Sequence, residues 1–262
     1  MLLNLYRYRD YIIRNEWDDL RLRYAGSGIG LFWNFLLPLL QIAIYTIVFS
    51  RLVSFRSGNA AGDPYDFVLY LCSGLLPWLA FSGTVTRCSN AFRANARYLG
   101  KLPIPEEIFV AQLVLAETFG LMLYLLLLVL VSLFIGHSVS LSSIMLPIVG
   151  ILFQIYAFGL GLLLASLEVF FHDISHVLRV LMQLWMWTLP IVYVENILPS
   201  WAQVLLLGNP PYYYLSSIRD LFLYNIIPNW TMWAGMGVWA LGITLIGNLV
   251  LHKLRKELRD VL

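Results

Sequence analysis

The sequence predicts an all-α integral membrane protein, a single domain over residues 1–262. We expect six transmembrane helices, an N-terminal amphipathic interface helix and re-entrant half-helices on the outer side. Of the 262 residues, 60% are hydrophobic and only 12% are charged, whereas soluble domains are about 45–50% apolar. The mean hydropathy is +0.76. Charge-free runs are long enough to cross the ~30 Å of a hydrocarbon core. The formal net charge of +2 is too small to favour nucleic acid as a partner.

Residues 1–25 combine charges of both signs with apolar side chains that recur every three or four positions. This pattern is typical of an amphipathic helix lying in the membrane interface. Trp17 and the tyrosines favour that position, because their rings settle at the level of the lipid headgroups. The alternative is that the helix docks on a partner protein. Both interpretations can apply together, with one face of the helix in the membrane interface and another face on the partner.

Six runs are apolar enough to be spans. The fifth lies within residues 169–199, where only Gln183 and Thr188 are polar between positions 180 and 194 and Pro190 lies near the far end. Its aromatic side chains fit a wall along which a substrate slides, or simply an interfacial belt beside a tolerated kink. The other five runs are residues 25–50, 67–86, 108–135, 145–167 and 231–251.

Two segments between these runs are too short or too polar to span the bilayer. Residues 90–101 follow Arg87 and end before Pro103, so we expect a short helix across the inner face. Residues 196–223 are interrupted at Pro199 and again by Asn209, Pro210 and Pro211. They predict two half-helices at the outer side.

The distribution of positive charge predicts the orientation. Six spans place 14 lysine and arginine residues on the face that carries both termini and three on the other face. Because positive residues are enriched in cytoplasmic loops, both termini are predicted to be cytoplasmic. A seventh span over residues 196–217 would move the basic tail outside and remove this asymmetry.

The motifs exclude several chemistries. The Gly100-Lys101 pair lacks both the first glycine and the hydroxyl residue of a phosphate-binding loop. His172 and His176 are four residues apart and flank Asp173, an arrangement that could provide two ligands of a metal site, but a third ligand at helical spacing is missing. No paired carboxylates or nucleophile with a base stand near a membrane face. What remains is a conduit that takes its energy from elsewhere, and a membrane enzyme is the weakest alternative.

Glu117 is the one acid well inside a predicted span. An ionisable residue there usually faces a cavity or a partner. It could be a proton or cation site, which would make the protein a secondary carrier gated by Glu117. A structural hydrogen bond to the neighbouring inner-face segment is the interpretation we favour, since proton-coupled carriers usually carry several such residues.

Five stretches, in this order, resemble the membrane subunit of ABC-2 type exporters, in particular the branch that exports O-antigen, capsule or teichoic acid chains. The family often has an arginine where this chain has His172. The stretches are RYAGSGIGLFWNFLLPLLQIAIYTIVFS (23–50), SGLLPWLAFSGTVTR (73–87), KLPIP (101–105), EVFFHDISHVLRVLMQLWMWTLPIVY (168–193) and NPPYYYLSSIRDLF (209–222).

The resemblance implies a homodimer in the bacterial cytoplasmic membrane that moves a lipid-linked polysaccharide. Two copies of a separate cytoplasmic ATPase would bind ATP and Mg²⁺, so this chain would carry no cofactor and would not itself be an enzyme. Residues 90–101 would be the coupling helix and residues 1–25 an element of the ATPase interface. The residues assigned to coupling are Asn90, Arg93, Arg97, Lys101, Trp17, Arg21, His172 and Asp173.

Aromatic side chains are the candidates for the channel lining. Sugars have apolar C–H faces, so rings can support many successive residues of a glycan without holding any one tightly. An exporter of drugs or small lipids from the same superfamily is the alternative function. The candidate lining residues are Trp33, Tyr45, Trp185, Trp187 and Tyr193.

Overall fold

The computed structural model describes residues 1–13, 64–101, 103–136 and 140–261, with single positions between 36 and 47. The predicted first span, residues 25–50, lies outside the described residues apart from those positions, as do Trp17, Arg21, Trp33 and Tyr45. The α-helices are α1 (Leu2–Arg7), α2 (Pro64–Ser89), α3 (Ala91–Ala94), α4 (Ala96–Leu99), α5 (Glu107–Ile135), α6 (Leu146–Glu168), α7 (Ile174–Trp187), α8 (Ser200–Leu207), α9 (Pro210–Phe222) and α10 (Trp230–Val261). Two 3₁₀ helices cover Leu141–Met145 and Glu195–Ile197.

Four segments of the described chain are long and apolar enough to cross a membrane. They correspond to the predicted second, third, fourth and last spans, so the sequence patterns for these four are confirmed as continuous helices. The segments are Val68–Ser89, Glu107–Phe134, Leu141–Glu168 and Trp230–Val261.

Helix α2 lies at the centre of the bundle. In its most apolar 18-residue segment, 83% is buried against other helices, compared with 22% in the corresponding segments of α5 and α10. Helix α5 turns large apolar side chains outward, and Phe134 is 92% exposed. Exposed rings and leucines of this density are typical of a surface that faces hydrocarbon.

Helices α6 and α10 cross at two glycines. A Cβ atom added at Gly159 would lie 2.5 Å from the backbone nitrogen of Thr244, and one at Gly247 would lie 2.5 Å from the carbonyl oxygen of Gly159. Such separations leave no room for a side chain. In a membrane, where water does not drive helix association, close backbone packing of this kind supplies the attraction between helices.

The fifth predicted span is shorter than expected. Helix α7 has 14 residues and ends at Trp187, so it is about 21 Å long at ~1.5 Å per residue. Pro190 offers no backbone donor and disfavours helical geometry in the preceding residue. The chain therefore leaves the helix before the proline and does not bend through it. The Tyr70 hydroxyl donates to the carbonyl oxygens of Pro190 (3.2 Å) and Tyr193 (2.9 Å), which holds this non-helical stretch against α2.

Helices α8 and α9 have 8 and 13 residues and occupy the region predicted to form half-helices. Pro199 precedes the first residue of α8, and Pro210 and Pro211 are the first two residues of α9. Proline is tolerated at these positions because a helix leaves its first N–H groups without an internal partner. That these helices re-enter the membrane remains a prediction.

Candidate functional site

The ion pairs of the described residues concentrate at one end of the bundle. We call it the polar end, and it is formed by α1, α3, α4, the first turn of α5 and the last turns of α6 and α10. Arg93 reaches α6, and Arg255 of α10 reaches α5. Helices α8 and α9 lie at the opposite end.

Residues 90–101, which we call the coupling segment after their predicted role, contain the two short helices α3 and α4. Phe92 and Leu99 are buried and anchor it on the bundle. Arg97 and Lys101 are exposed, and so is Asn90 at its start. The segment thus presents cations outward from an apolar base, as a docking element for an acidic partner surface would.

Glu168, the last residue of α6, is fully buried and receives donors from two other elements. Its Oε1 atom lies 3.3 Å from Arg93 Nη1 of the coupling segment. The Ser175 hydroxyl donates to Oε1 at 2.9 Å, and the Ser175 backbone N–H donates to Oε2 at 2.8 Å. One carboxylate therefore joins α3, α6 and α7.

Glu106 and Glu107, at the start of α5, form a second buried cluster of ion pairs. Arg255 lies 2.9 Å from both carboxylates, and the Arg259 Nε donates to Glu106 at 2.6 Å. Asn4 of α1 donates to Glu107 at 2.9 Å. These contacts hold the N-terminal helix and the C-terminal helix on the same end of the bundle.

Sequence reasoning missed Glu106, Glu107 and Glu168 as structural residues. Their signal in the sequence is a pair of acids directly after Pro105, and a single acid that ends a charge-free span. Acids at the beginning of a helix complement its dipole, but nothing in the spacing tells which arginine each one meets.

Glu117 forms an ion pair with Arg87, which lies in the last turn of α2. The two side chains are 21% and 31% exposed, respectively. This supports a structural contact for Glu117, although the observed partner lies in α2 and not in the inner-face segment of residues 90–101.

His172 and Asp173 are both exposed and lie between α6 and α7. The two residues border an open cleft of about 590 Å³ whose other lining residues are apolar. His176 lies outside this cleft, and its Nδ1 atom is 2.7 Å from Arg179 Nη2. The apolar lining residues are Leu164, Phe170, Phe171, Ile174, Val177, Leu178 and Leu181.

The three described lining candidates differ in their surroundings. Trp185 is half-buried and packs edge-on against Trp78, with ring centroids 5.9 Å apart, while its Nε1 atom donates to Asn209 at 2.9 Å. Trp187 is 57% exposed. Tyr193 is half-buried, and its hydroxyl donates to the Trp187 carbonyl oxygen at 3.4 Å. The structure thus brings the Tyr193 hydroxyl to the backbone of Trp187 and turns the Trp185 ring toward the core.

Sequence reasoning also missed a buried arginine at the opposite end. Arg219 of α9 is only 5% exposed, and its guanidinium carbon lies 3.8 Å from the centre of the Tyr70 ring. Among the residues that the structure describes, none is a hydrogen-bond partner for its buried Nε and Nη2 atoms. A Cβ atom added at Gly74 would lie 2.6 Å from Nη2, so the arginine occupies the space that a larger residue would fill.

The long apolar helices and the ion-paired polar end define an integral membrane protein. The chain belongs to the ABC-2 type transporter family, whose sequence profile matches residues 12–223. This confirms the resemblance drawn from the sequence motifs.

Similar proteins are named for the export of polysaccharides. The chain is 26% identical over 231 residues to the O-antigen export system permease protein RfbA of Myxococcus xanthus, covering 87% of this chain and 86% of that protein. It is 25% identical over 252 residues to the protein of the same name from Klebsiella pneumoniae, covering 96% and 93%. Identity to the polysialic acid transport protein KpsM of Escherichia coli is 22% over 240 residues, covering 91% of each chain.

Proposed function

We propose that this protein is the membrane subunit of an ATP-driven exporter that moves a lipid-linked, O-antigen-like polysaccharide across the bacterial cytoplasmic membrane. It works as a homodimer with two copies of a separate cytoplasmic ATPase, which binds ATP and Mg²⁺. Both termini are cytoplasmic. The observation that carries the proposal is similarity over nearly the whole chain to permeases named for O-antigen export.

The polar end supports the place of the ATPase in this proposal. The coupling segment is anchored by buried Phe92 and Leu99 and presents Arg97 and Lys101 outward. Movement of a bound ATPase would reach the bundle through this segment. The described part of the N-terminal helix lies beside it, tied to the start of α5 by the contact between Asn4 and Glu107.

The aromatic residues support a sliding surface for the glycan at the seam between two subunits. Trp187 and Tyr193 lie together at the end of α7, where the chain leaves the helix. The exposed Trp187 side chain, together with the half-buried Tyr193, offers flat apolar area with polar edges, which suits a sugar chain of many units. Trp33 and Tyr45 are proposed to complete this surface.

The test is export from vesicles that contain this chain and the ATPase encoded beside it. A lipid-linked O-antigen-type glycan supplied on the ATPase side should appear on the other side when ATP is added. It should stay where it is when the catalytic glutamate of the ATPase is replaced by glutamine. Export that continues with the inactive ATPase would contradict the proposal. Export of dyes or short lipids, but of no glycan, would favour a drug or small-lipid exporter.

A secondary carrier gated by Glu117 makes a different prediction. Glu117→Gln removes an ionisable group but keeps the shape of a side chain that is already paired with Arg87. We expect the variant to export glycan within about twofold of the wild type, because a partly exposed ion pair contributes only ~1 kcal/mol or less to stability. Proton-dependent uptake that is present in the wild type and lost in Glu117→Gln would instead identify a carrier.

A further inference from the structure

The junction of the coupling segment with α6 and α7 depends on one buried carboxylate. Glu168 has 0% exposure and accepts from Arg93 on one side and from Ser175 on the other. A carboxylate removed from water is expensive unless charged or strongly polar donors surround it. The three donors supply that compensation only while α3, α6 and α7 keep their relative positions.

The contact with Ser175 also caps a helix. Asp173 occupies the N-cap position of α7 but makes no capping hydrogen bond with its side chain. The Glu168 carboxylate instead accepts from the backbone N–H of Ser175, the second residue of α7. A negative charge at this end of a helix is favoured by the helix dipole and satisfies an N–H group that has no partner within the helix. The start of α7 is therefore held by a side chain from α6.

We propose that Glu168 is the positioning residue that transmits movement of the coupling segment to α7. The inference deepens the proposed function, on which it rests. When the ATPases displace the segment, Arg93 moves with it, and the Glu168 carboxylate must follow or lose a charged partner in a buried site. Because the same carboxylate caps α7, the first turn of α7 shifts as well. Helix α7 carries Trp187 at its other end, so the shift reaches the proposed glycan surface.

This role separates Glu168 from the other acids of the polar end. Glu117 pairs with Arg87, which joins α5 to α2. Glu106 and Glu107 join α5 to α10. The contacts of Glu168 lead from the coupling segment to α7. Glu117→Gln is therefore a matched control: it removes one acid paired with one arginine near the same end.

The experiment compares the amount of glycan exported per ATP hydrolysed in vesicles containing the ATPase. For Glu168→Gln we expect ATP hydrolysis to continue while export per ATP falls about tenfold, since hydrogen bonds to a charged group are among the stronger ones. Glu117→Gln should keep the wild-type ratio within about twofold. Ser175→Ala, which removes the hydroxyl contact but keeps the capping N–H, should lie between the two.

A second readout follows the movement itself. Val177 on α7 is 53% exposed, whereas Cys72 and Cys88 are buried at 1% and 0% exposure, so a probe can be attached at Val177→Cys alone. The probe signal should change when ATP is added to the complex and should change much less in Glu168→Gln. If Glu168→Gln accumulates too poorly to be measured, the probe response can be compared between the wild type and Ser175→Ala instead.

The two proposals fail in distinguishable ways. Suppose that no lipid-linked glycan is exported, but that the probe at Val177→Cys responds to ATP and responds much less in Glu168→Gln. This result would overturn the proposed substrate alone. Glu168→Gln with an unchanged export ratio and an unchanged probe response would overturn the positioning role alone. An equal loss of coupling in Glu117→Gln would overturn it as well, since any paired acid would then have the same effect.

Discussion

At the residue scale, the contact of Arg219 with Tyr70 shows how an aromatic ring can stabilise a buried charge that forms no ion pair with the described part of the chain. The guanidinium lies 3.8 Å from the ring centre, and the Tyr70 hydroxyl is engaged with the carbonyl oxygens of Pro190 and Tyr193. The attraction of a cation to an aromatic face strengthens when water is excluded. Tyr70 therefore serves two purposes: it stabilises Arg219 with its ring, and it holds the chain after α7 with its hydroxyl.

Substitutions of Tyr70 should separate these two contributions. Tyr70→Phe keeps the ring and loses the hydroxyl, so we expect a loss of about 1 kcal/mol in the free energy of unfolding. Tyr70→Leu loses the ring as well and should cost about 2 kcal/mol more. Thermal unfolding of the purified protein measures both. In an Arg219→Met background the difference between the Phe and Leu variants should shrink; an unchanged difference would mean that the ring acts through packing alone.

At the element scale, different helices of the described chain are attached to the bundle by different interactions. Helix α2 is held by burial of its apolar surface, since 83% of its most apolar 18-residue segment is buried. Helix α10 has only 22% of its most apolar segment buried and is held at its glycine crossing with α6 and by the ion pairs of Arg255 and Arg259. The coupling segment is held by the buried side chains of Ala91, Phe92 and Leu99 and by the ion pair with Glu168.

The glycine crossing can be tested with matched substitutions in α10. Gly247→Ala places a methyl group 2.5 Å from the Gly159 carbonyl oxygen, so it should force the helices apart and cost about 1–3 kcal/mol in the free energy of unfolding. Gly242→Ala meets no atom within 4 Å and should be neutral or stabilising by up to ~1 kcal/mol. Both are measured as thermal unfolding in the same detergent. Equal destabilisation by the two variants would contradict close packing at the crossing.

The outward cations of the coupling segment should act on ATPase binding alone. Arg97→Ala combined with Lys101→Ala removes two exposed charges, and each is expected to contribute about 0.2–1 kcal/mol to binding. The dissociation constant for the ATPase should rise several-fold at low salt, with a smaller difference at high salt, where such charges are screened. Unfolding temperature is the control, because exposed side chains contribute little to stability. A lowered unfolding temperature would assign these residues a structural role.

At the scale of the whole molecule, the structure has two chemically different ends. Ion pairs between residues far apart in the chain hold the polar end, for example Arg255 with Glu107 at a separation of 148 residues. The opposite end holds two short helices, one that follows Pro199 and one that begins at Pro210, together with Arg219. Under the proposed function the polar end meets the ATPase in the cytoplasm, and the opposite end faces outward.

Labelling of single introduced cysteines tests this orientation. Arg97 and Lys253 are exposed at the polar end, and Asn196 and Asn229 are exposed at the opposite end. In intact cells a membrane-impermeant maleimide should label Asn196→Cys and Asn229→Cys, and it should label Arg97→Cys and Lys253→Cys only after the membrane is opened. The wild-type protein is the control, because its two cysteines are buried. Labelling of Lys253→Cys in intact cells would reverse the predicted orientation.

The sequence by itself determined the membrane class, four of the spans and the family, since all three depend on patterns that are local along the chain. About twenty apolar residues in a row form a membrane helix whatever surrounds them, and the motifs keep their order and spacing. Only the tertiary structure decided that α7 ends at Trp187, that Trp185 turns toward the core, and that Glu168 meets Arg93 and Ser175. The physical reason is that burial and ion pairing depend on neighbours in space, and Arg93 and Glu168 are separated by 75 residues before folding brings them together.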